Sequence, residues 1–527
     1  MTPGTPPLTY VTLLADESIH PRFEAALSRT DAILDRDHPL HIGDEEISAG
    51  SAFTVTSPID RGITIGRFQS GTADHAAEAI EAAHRAFPAW GGLDWTRRAE
   101  IIEDAARLMQ GRMYDLAACL SLEAGKNRFE AVAEVGEAIA FLRYYVDRYR
   151  REEGFVREHP PGAPGEVCRS VLKPRGAWAV ISPFNFPIAL AAGMASAALL
   201  TGNTVVLKPA GAAPLSAFHL YGILVAAGVP PGAVNLVTVS GPVFGEVVVS
   251  HQEVAGIAFT GSREAGMWLY RECAARQPYP KPVITETGSK NPCVVTASAD
   301  LEAAAEGVAR AAFGYAGQKC SACSRVYVQE EVAEEFLSLL CEEAAGIRVG
   351  DPRDRETGIG PLIDERAETR FLEAVAETRS AGGRVAAGGS ILTGGICDRG
   401  VYAEPTIVTG LPRDHRLLAE ELFVPVLAVQ EVATFDEGIR EANHTDFGLT
   451  AGIFSRNPRE IDRFFREIRF GVCYANRRGG ATTGAWPGSQ PFGGWKASGS
   501  TGTGTGGRHY LSNFLREQAQ TRVEPAG

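Results

Sequence analysis

The feature that most constrains the fold is a regular alternation of short apolar runs and helical stretches in the middle of the chain. The pattern predicts strands at 177–181, 204–207, 234–237 and 256–259, with helices at 188–200, 215–227 and 243–250 between them. Strands this short, separated by helices, predict parallel βαβ units in a doubly wound α/β sheet. Ligands of such sheets bind beyond the carboxyl ends of the strands, so polar residues at those ends become the candidates for function.

A second alternating region follows the first. Its strand-like runs are 292–295, 325–328, 424–429, 449–454 and 472–475, and helical stretches at 332–345 and 365–379 lie between them. Ahead of the first region, apolar residues recur at helical spacing from residue 74 to about residue 149. Residues 1–50 carry mixed signals, which we interpret as a partly ordered N-terminal extension. We place the boundary between the two α/β regions near residue 283.

Charge and cysteine content narrow the class of protein. The chain has 527 residues and a formal net charge of −13, which argues against a general binder of nucleic acid or anionic membranes. Its nine cysteines are odd in number and scattered, so they fit a reducing compartment rather than a disulfide framework. The N-terminus lacks a signal-peptide pattern, and the most apolar stretch, 188–200, is too short to span a bilayer. We expect a cytoplasmic protein that binds neither membrane nor nucleic acid.

Two short motifs, a GxGxxG match and a CxxC, differ in how well they indicate a functional site. Residues 502–507 read GTGTGG and match GxGxxG, but no predicted strand precedes them, so we interpret them as a turning loop. Cys320 and Cys323 form a CxxC without a second Cys/His pair, which argues against a metal site. A nucleophilic thiolate at Cys320 is the functional interpretation, and Lys319 would favour the thiolate if its side chain points inward. A buried, inert cysteine is the alternative.

Four polar side chains lie near the ends of predicted strands. Asn185 follows the first strand, and its amide can donate to a developing oxyanion. Glu286 lies beside a glycine after an apolar run, where a carboxylate can face a cleft and act as a general base. Lys208 follows the second strand and Ser262 the fourth, where a helix N-terminus can bind phosphate. Each signal is weak on its own.

Together, and in this order, these segments resemble the aldehyde dehydrogenase superfamily from about residue 57 to residue 515. The matching segments read PFNFP, VVLKPA, FTGS, ETGSKNP, GQKCSA, EELFVPV and QPFGGWKASG. The resemblance implies NAD or NADP as cofactor, a small aldehyde as substrate and a homo-oligomer, dimer or larger. It also implies a doubly wound cofactor domain, an α/β catalytic domain and a small β oligomerisation element, which we assign to residues 51–154 with 176–282, 283–490, and 155–175 with 491–527.

The resemblance assigns roles to individual residues. Cys320 would be the nucleophile, Glu286 the general base, and Asn185 a donor of the oxyanion hole together with the backbone N–H of Cys320. The cofactor-binding residues would be Ser182, Phe184, Lys208, Gly211, Gly261, Ser262, Glu421 and Phe423. No metal is implied. An aldehyde would then be oxidised to a carboxylic acid through a cysteine thiohemiacetal and a thioester.

The cysteine segment, residues 314–325, is similar to that of glutamate-γ-semialdehyde (1-pyrroline-5-carboxylate) dehydrogenases, a branch that serves proline catabolism. That branch implies that Ser321 and the backbone of Gly484 and Ala485 anchor the α-carboxylate of the substrate. Phe186 and Phe492 would flank its aliphatic part. The loop at 476–482 is longer than usual, which leaves a dehydrogenase of another small semialdehyde as the alternative.

Two positions depart from the family pattern. Gly211 stands where many NAD-specific members have a glutamate that accepts hydrogen bonds from the ribose and repels a 2′-phosphate. With glycine this repulsion is absent, so the choice between NAD and NADP stays open. Val424 stands where a glycine is usual, and the sequence offers no reason for it.

Three other functions are weaker interpretations. A CoA-acylating relative commonly lacks the general base, so Glu286 speaks against it. A non-catalytic relative would not need Cys320, Glu286 and Asn185 together. A thiol-redox protein using Cys320 and Cys323 lacks a compact redox domain.

Overall fold

The computed structural model describes residues 16–30, 32–479 and 486–523. Its α-helices, numbered in chain order, are α1 (Ile19–Thr30), α2 (Ala73–Gly92), α3 (Trp95–Gly111), α4 (Met113–Ala124), α5 (Arg128–Arg151), α6 (Ala189–Leu200), α7 (Leu215–Ala226), α8 (Gly241–Ser250), α9 (Arg263–Arg276), α10 (Leu301–Phe313), α11 (Ala333–Ala345), α12 (Glu365–Ser380), α13 (Phe435–Asn443) and α14 (Pro458–Glu467). The five helices whose bounds were predicted, at 188–200, 215–227, 243–250, 332–345 and 365–379, begin and end within two residues of those bounds. Helix α8 begins two residues early because Pro242 suits the first turn of a helix.

The first large sheet has seven strands in the order β12-β11-β8-β9-β10-β2-β3. In chain-order numbering they are β2 (Leu40–Ile42), β3 (Glu45–Ile47), β8 (Ala177–Ile181), β9 (Thr204–Lys208), β10 (Val234–Leu236), β11 (Val254–Gly261) and β12 (Val283–Thr287). The neighbouring pairs from β12 to β10 are all parallel. The predicted doubly wound parallel sheet is therefore confirmed.

Both faces of this sheet are covered. Along β8, Trp178 and Val180 pack into one core with α6, whereas Ala177 and Ala179 pack into another with α2 and α8. Successive side chains of a strand point to opposite faces, so a strand buried on both sides is apolar throughout. The register pairs Ile181 with Lys208, which brings the loops after β8 and β9 to the same edge.

Two of the domain boundaries predicted from the sequence, at residue 50 and near residue 283, differ from those in the structure. The described part of the expected N-terminal extension contributes β2 and β3 to the first sheet and the buried side chains of Ile19 and Phe23 to its helical core. These elements are short or interrupted, so their periodicity is faint. The boundary near residue 283 is also misplaced, because β12 pairs with β11 and the chain crosses to the second sheet only after Thr287.

The second large sheet has seven strands in the order β15-β16-β17-β14-β13-β19-β20. They are β13 (Asn291–Val295), β14 (Cys323–Gln329), β15 (Arg384–Ala387), β16 (Thr406–Thr409), β17 (Val426–Val432), β19 (Thr450–Phe454) and β20 (Val472–Ala475). All neighbours are parallel except β15, which is antiparallel to β16. The second α/β unit is thus confirmed, with β15 and β16 as strands that the sequence analysis did not predict.

Three smaller sheets complete the fold. Their strands are β1 (Arg36–His38), β5 (Thr64–Gln69) and β4 (Ala52–Thr56); β22 (Leu515–Val523), β7 (Glu166–Pro174) and β6 (Val156–His159); and β18 (Phe447–Gly448) with β21 (Trp495–Lys496). Of the tail residues that the structure describes, only β22 joins the hairpin of β6 and β7, whereas the residues before it run back across the large sheets. None of the helices in the described ranges is long and apolar enough to cross a membrane.

Candidate active site

The predicted functional residues of the first sheet lie in the loops at one edge. The loop after β8 carries Ser182, Phe184 and Asn185 before α6 begins. Lys208 is the last residue of β9, and Ser262 follows β11 and caps α9 through a side-chain hydrogen bond from the N–H of Ala265. This is the carboxyl edge of the parallel strands, where ligands of such sheets bind.

A cavity of about 580 Å³ opens at this edge and reaches the second sheet. The predicted site residues that line it are Ser182, Phe184, Asn185, Lys208, Gly261, Ser262, Glu286, Cys320, Glu421, Phe423 and Phe492. Gly211 lines an adjoining cavity of about 290 Å³, which it shares with Lys208. Phe186 and Ser321 are not among the residues lining the larger cavity. Gly484 and Ala485 lie outside the described residues.

Cys320 lies at the end of a tightly turned loop between α10 and β14. Tyr315, Ala316 and Gly317 have φ values of 52°, 53° and 69°, a run of left-handed residues that is uncommon without glycine. A Cβ on Gly317 would lie 2.6 Å from the carbonyl oxygen of Val424, so only glycine permits this approach. The side chain of Val424 is buried in the core below the second sheet. The loop is therefore seated firmly against the segment that carries Glu421 and Phe423.

The environment of the Cys320 thiol disfavours its thiolate form. Burial raises its pKa to about 12, and the nearby carboxyls of Glu421 and Glu286 act in the same direction. Lys319 does not offset this effect, because its ammonium pairs with Glu130 at 2.6 Å. The expectation that Lys319 would favour the thiolate is wrong for that reason. A base has to remove the proton before the sulfur can attack.

Asn185 links the two halves of the site. Its side chain is buried, and Nδ2 donates a hydrogen bond of 3.0 Å to the carbonyl oxygen of Gln318. An amide nitrogen carries two hydrogens, so one remains for a second acceptor. The amide thus lies within reach of the loop that ends in Cys320.

Glu286 is the fourth residue of β12, and its half-buried carboxyl faces the cavity. The backbone N–H of Gly494 donates to its Oε2 at 3.3 Å. Burial raises the pKa of this carboxyl well above its usual value. A carboxyl that faces the same cavity as the Cys320 thiol is placed where a general base is needed.

The cavity fits a dinucleotide. The hydroxyl of Ser182 is buried and has no hydrogen-bond partner in the described structure, so it is available to a ligand. Phe184 and Phe423 meet edge to face with their ring centroids 5.9 Å apart. Glu421 accepts a hydrogen bond of 2.8 Å from the N–H of Ser289, and burial raises its pKa to about 7. A Cβ on Gly288 would meet the end of that carboxyl, so a larger residue there would require the Glu421 side chain to move.

The structure also brings to the site charged residues that the sequence analysis did not single out. Lys126 and Glu134 form an ion pair of 2.6 Å in which both side chains are fully buried, and Glu130 lies one turn from Glu134 on α5. Glutamates four residues apart on a helix usually indicate a solvated face. The available signal was the dense run of apolar residues on both sides of Glu134 in the first half of α5.

Cys323 differs from Cys320 in burial and in access to the cavity, not in the direction of its pKa shift. It is the first residue of β14, its side chain is buried in the core, and burial raises its pKa to about 12. The geometry therefore favours Cys320 as the reactive thiol.

Nowhere in the described ranges do three or more His, Cys, Asp or Glu side chains gather in a way that could hold a metal ion.

Comparison with known proteins decides the family. A family model described as the aldehyde dehydrogenase family matches residues 46–519. The chain belongs to the aldehyde dehydrogenase family. This finding confirms the resemblance found in the sequence motifs. Within the family, a 1-pyrroline-5-carboxylate dehydrogenase from Geobacillus sp. (strain WCH70) is 37% identical over 522 residues, covering 98% of each chain.

Solved structures of aldehyde dehydrogenases share the fold. A crystal structure of 1-pyrroline-5-carboxylate dehydrogenase from Thermus with bound NAD matches with a TM-score of 0.92 and 35% identity, covering 97% of each chain. Proline utilization A from Bdellovibrio bacteriovorus matches with a TM-score of 0.91 and 35% identity over 97% of this chain and 52% of that one. The fold class predicted from the sequence is confirmed by these matches.

Proposed function

We propose that the protein oxidises an aldehyde to a carboxylic acid with NAD or NADP, using Cys320 as nucleophile. The observation that carries this proposal is the meeting of the Cys320 thiol, the Asn185 amide and the Glu286 carboxyl at one cavity. A nucleophile, an oxyanion donor and a base are the groups that acyl chemistry on sulfur needs. The cavity also has the features of a dinucleotide site.

The cofactor would lie across the loops at the carboxyl edge of the first sheet. As the family resemblance implies, Lys208 would contact its adenosine ribose, Ser262 its pyrophosphate and Glu421 its nicotinamide ribose, with Phe423 against the ring. The rest of the cofactor site would be formed by Ser182, Phe184, Gly211 and Gly261. When bound, the cofactor supplies a hydride acceptor. Burial lowers the pKa of Lys208 to about 8, and its Nζ already donates to the carbonyl of Pro209.

Cys320, Asn185 and Glu286 would each perform a different step of the reaction. The Cys320 thiol gives up its proton to solvent, and the sulfur attacks the aldehyde carbon to form a thiohemiacetal. The Asn185 amide and the Cys320 backbone N–H donate to the oxygen as it gains negative charge, which lowers the barrier without reorganisation of the site. After oxidation the sulfur carries a thioester. Glu286 takes a proton from water, which attacks the thioester and releases the acid while the thiol is restored.

Glutamate γ-semialdehyde is the substrate we propose. The support is that relatives matching this chain over nearly its full length are named 1-pyrroline-5-carboxylate dehydrogenase. Ser321 beside the nucleophile, with the backbone of Gly484 and Ala485, would bind the α-carboxylate. Phe186 and Phe492 would enclose the short methylene chain. Another small semialdehyde is the second candidate.

We further propose that the protein acts in the cytoplasm as a homo-oligomer. The support is the sheet of β6, β7 and β22, in which β22 runs along an outer edge with most of its side chains exposed. An exposed sheet edge tends to pair with another chain.

An assay with a panel of aldehydes tests the proposal. The panel contains glutamate γ-semialdehyde, succinate semialdehyde and neutral aldehydes of equal length, each with NAD and with NADP. We expect the highest kcat/KM for glutamate γ-semialdehyde. Equal rates with all aldehydes would refute the substrate, and no oxidation of any would refute the activity.

A further inference from the structure

The buried ammonium of Lys126 contacts two loops, the one that carries Asn185 and the one that leads to Cys320. We call these the two catalytic loops. The Nζ of Lys126 lies 3.5 Å from the ring centroid of Phe186, which directly follows Asn185. The same atom lies 4.8 Å from the ring centroid of Tyr315, in the loop that leads to Cys320. An ammonium over an aromatic face is attracted by the ring, more strongly when both are desolvated. Lys126 therefore joins the two loops through one charge.

Glu134 neutralises the Lys126 ammonium and also binds the end of the loop that carries Asn185 and Phe186. Its Oε2 pairs with Lys126 at 2.6 Å, while Oε1 accepts hydrogen bonds of 3.0 Å and 3.2 Å from the N–H groups of Ile188 and Ala189. Those N–H groups form the start of α6, which has no side-chain cap of its own. A carboxylate at a helix N-terminus compensates free donors and the helix dipole. The loop carrying Asn185 and Phe186 is thereby tied to α5.

The same helix holds the second loop. Glu130, one turn before Glu134, pairs with Lys319 at 2.6 Å, and Lys319 precedes Cys320. The hydroxyl of Tyr315 donates a hydrogen bond of 2.6 Å to the carbonyl of Ala124, just ahead of Lys126. These contacts offset the conformational cost of the left-handed residues in the loop that leads to Cys320. Without them, the loop would favour other conformations.

We propose that Lys126 and Glu134 are positioning residues that fix the oxyanion donor Asn185 relative to the Cys320 thiol. A fully buried ion pair is seldom retained for stability alone, because apolar residues of similar volume often serve as well. Here each partner contacts a catalytic loop. Misplacing a reacting group by about 1 Å can cost about a hundredfold in rate, so such a device has a strong effect on turnover.

The double variant K126M/E134Q tests this role, which rests on the proposed function. It removes both charges while keeping side-chain volume, so the protein is expected to fold. With glutamate γ-semialdehyde and NAD in stopped flow, we expect the first-order formation of reduced cofactor to slow at least about tenfold. Binding of NADH, followed by its fluorescence, should stay within about twofold of the parent, because neither residue lines the cofactor cavity.

E123Q is the matched control. Glu123 is another fully buried carboxyl, and its hydrogen bonds come from the N–H groups of Leu215 and Ser216 at the start of α7 rather than from either catalytic loop. It should leave the rate of reduced-cofactor formation unchanged. If the double variant does not fold, E134D keeps the charge pair but shortens the reach to Ile188 and Ala189, and it should slow the same step at least about threefold.

Amide hydrogen exchange separates this proposal from the proposed function. In K126M/E134Q, peptides covering 182–189 and 314–323 should exchange faster, whereas other peptides and the E123Q variant should not. This readout needs no aldehyde oxidation. A folded double variant with parental exchange in both loops, or with a parental rate of reduced-cofactor formation, would overturn the positioning role. Failure of the parent to oxidise any aldehyde would refute only the proposed function.

Discussion

The side-chain amide of Asn185 donates a hydrogen bond of 3.0 Å to the carbonyl oxygen of Gln318, two residues before Cys320. One partner belongs to the loop after the first sheet's β8, and the other to the loop entering β14 of the second sheet. This single bond crosses between the two α/β units. It places an amide donor beside the loop that ends in the nucleophile.

Replacing Asn185 by alanine should remove both the oxyanion donor and this link. Loss of one such donor typically costs about 10² to 10³ in kcat. We expect N185A to lose kcat on that scale while its affinity for NADH changes little. Steady-state kinetics and NADH fluorescence measure the two effects. An N185A enzyme with parental kcat would show that the amide does not stabilise the developing charge.

The raised pKa of Cys320 predicts how its alkylation depends on pH. Only the thiolate reacts, and a pKa of about 12 leaves the thiol protonated throughout the neutral range. In the cofactor-free enzyme, alkylation of Cys320 by iodoacetamide should accelerate about tenfold per pH unit from pH 7 to pH 10, without a plateau. Peptide mass spectrometry resolves this site from the other cysteines. A plateau near pH 7 would mean that the site stabilises the thiolate.

The position of Gly211 predicts a change in cofactor preference. A Cβ at Gly211 meets nothing within 4 Å, so a glutamate fits without displacing the chain. In G211E the added carboxylate should repel a 2′-phosphate and shift the ratio of kcat/KM toward NAD. G211A is the control, since it adds bulk without charge. An unchanged ratio in G211E would place this residue away from the ribose.

The double-wound sheet was predictable because its strands are buried on both faces and therefore apolar without interruption. The placement of Asn185 and Glu286 at the cavity was predictable because each lies at or just beyond the end of such a strand, and that of Cys320 because it stands in a recognisable motif just ahead of β14. Lys126 and Glu134 were not predictable, because their burial and their contacts to residues distant in the chain depend on how the elements pack, which sequence spacing does not encode. The charge state of Cys320 was missed for a similar reason, since Lys319 turns to Glu130, 189 residues away in the chain.

Ser321 provides a test of the substrate. Its side chain is buried beside the nucleophile, and its backbone carbonyl accepts a hydrogen bond from Thr450. A hydrogen bond to a charged acceptor contributes roughly 1.5–3 kcal/mol, so S321A should lower kcat/KM for glutamate γ-semialdehyde about tenfold or more. A neutral aldehyde of equal length should be barely affected. Equal losses for both aldehydes would refute the carboxylate anchor.

The covalent intermediate on Cys320 is the most direct test of the account. In E286Q the general base is absent, so hydrolysis of the thioester should slow by about 10² to 10⁴ while acylation and hydride transfer proceed. Mixed with glutamate γ-semialdehyde and NAD and quenched in acid, E286Q should form about one equivalent of NADH per site and carry the acyl group on the Cys320 peptide. C320A/E286Q should form neither. An E286Q enzyme with parental steady-state turnover, or an acyl group on any other residue, would contradict the account.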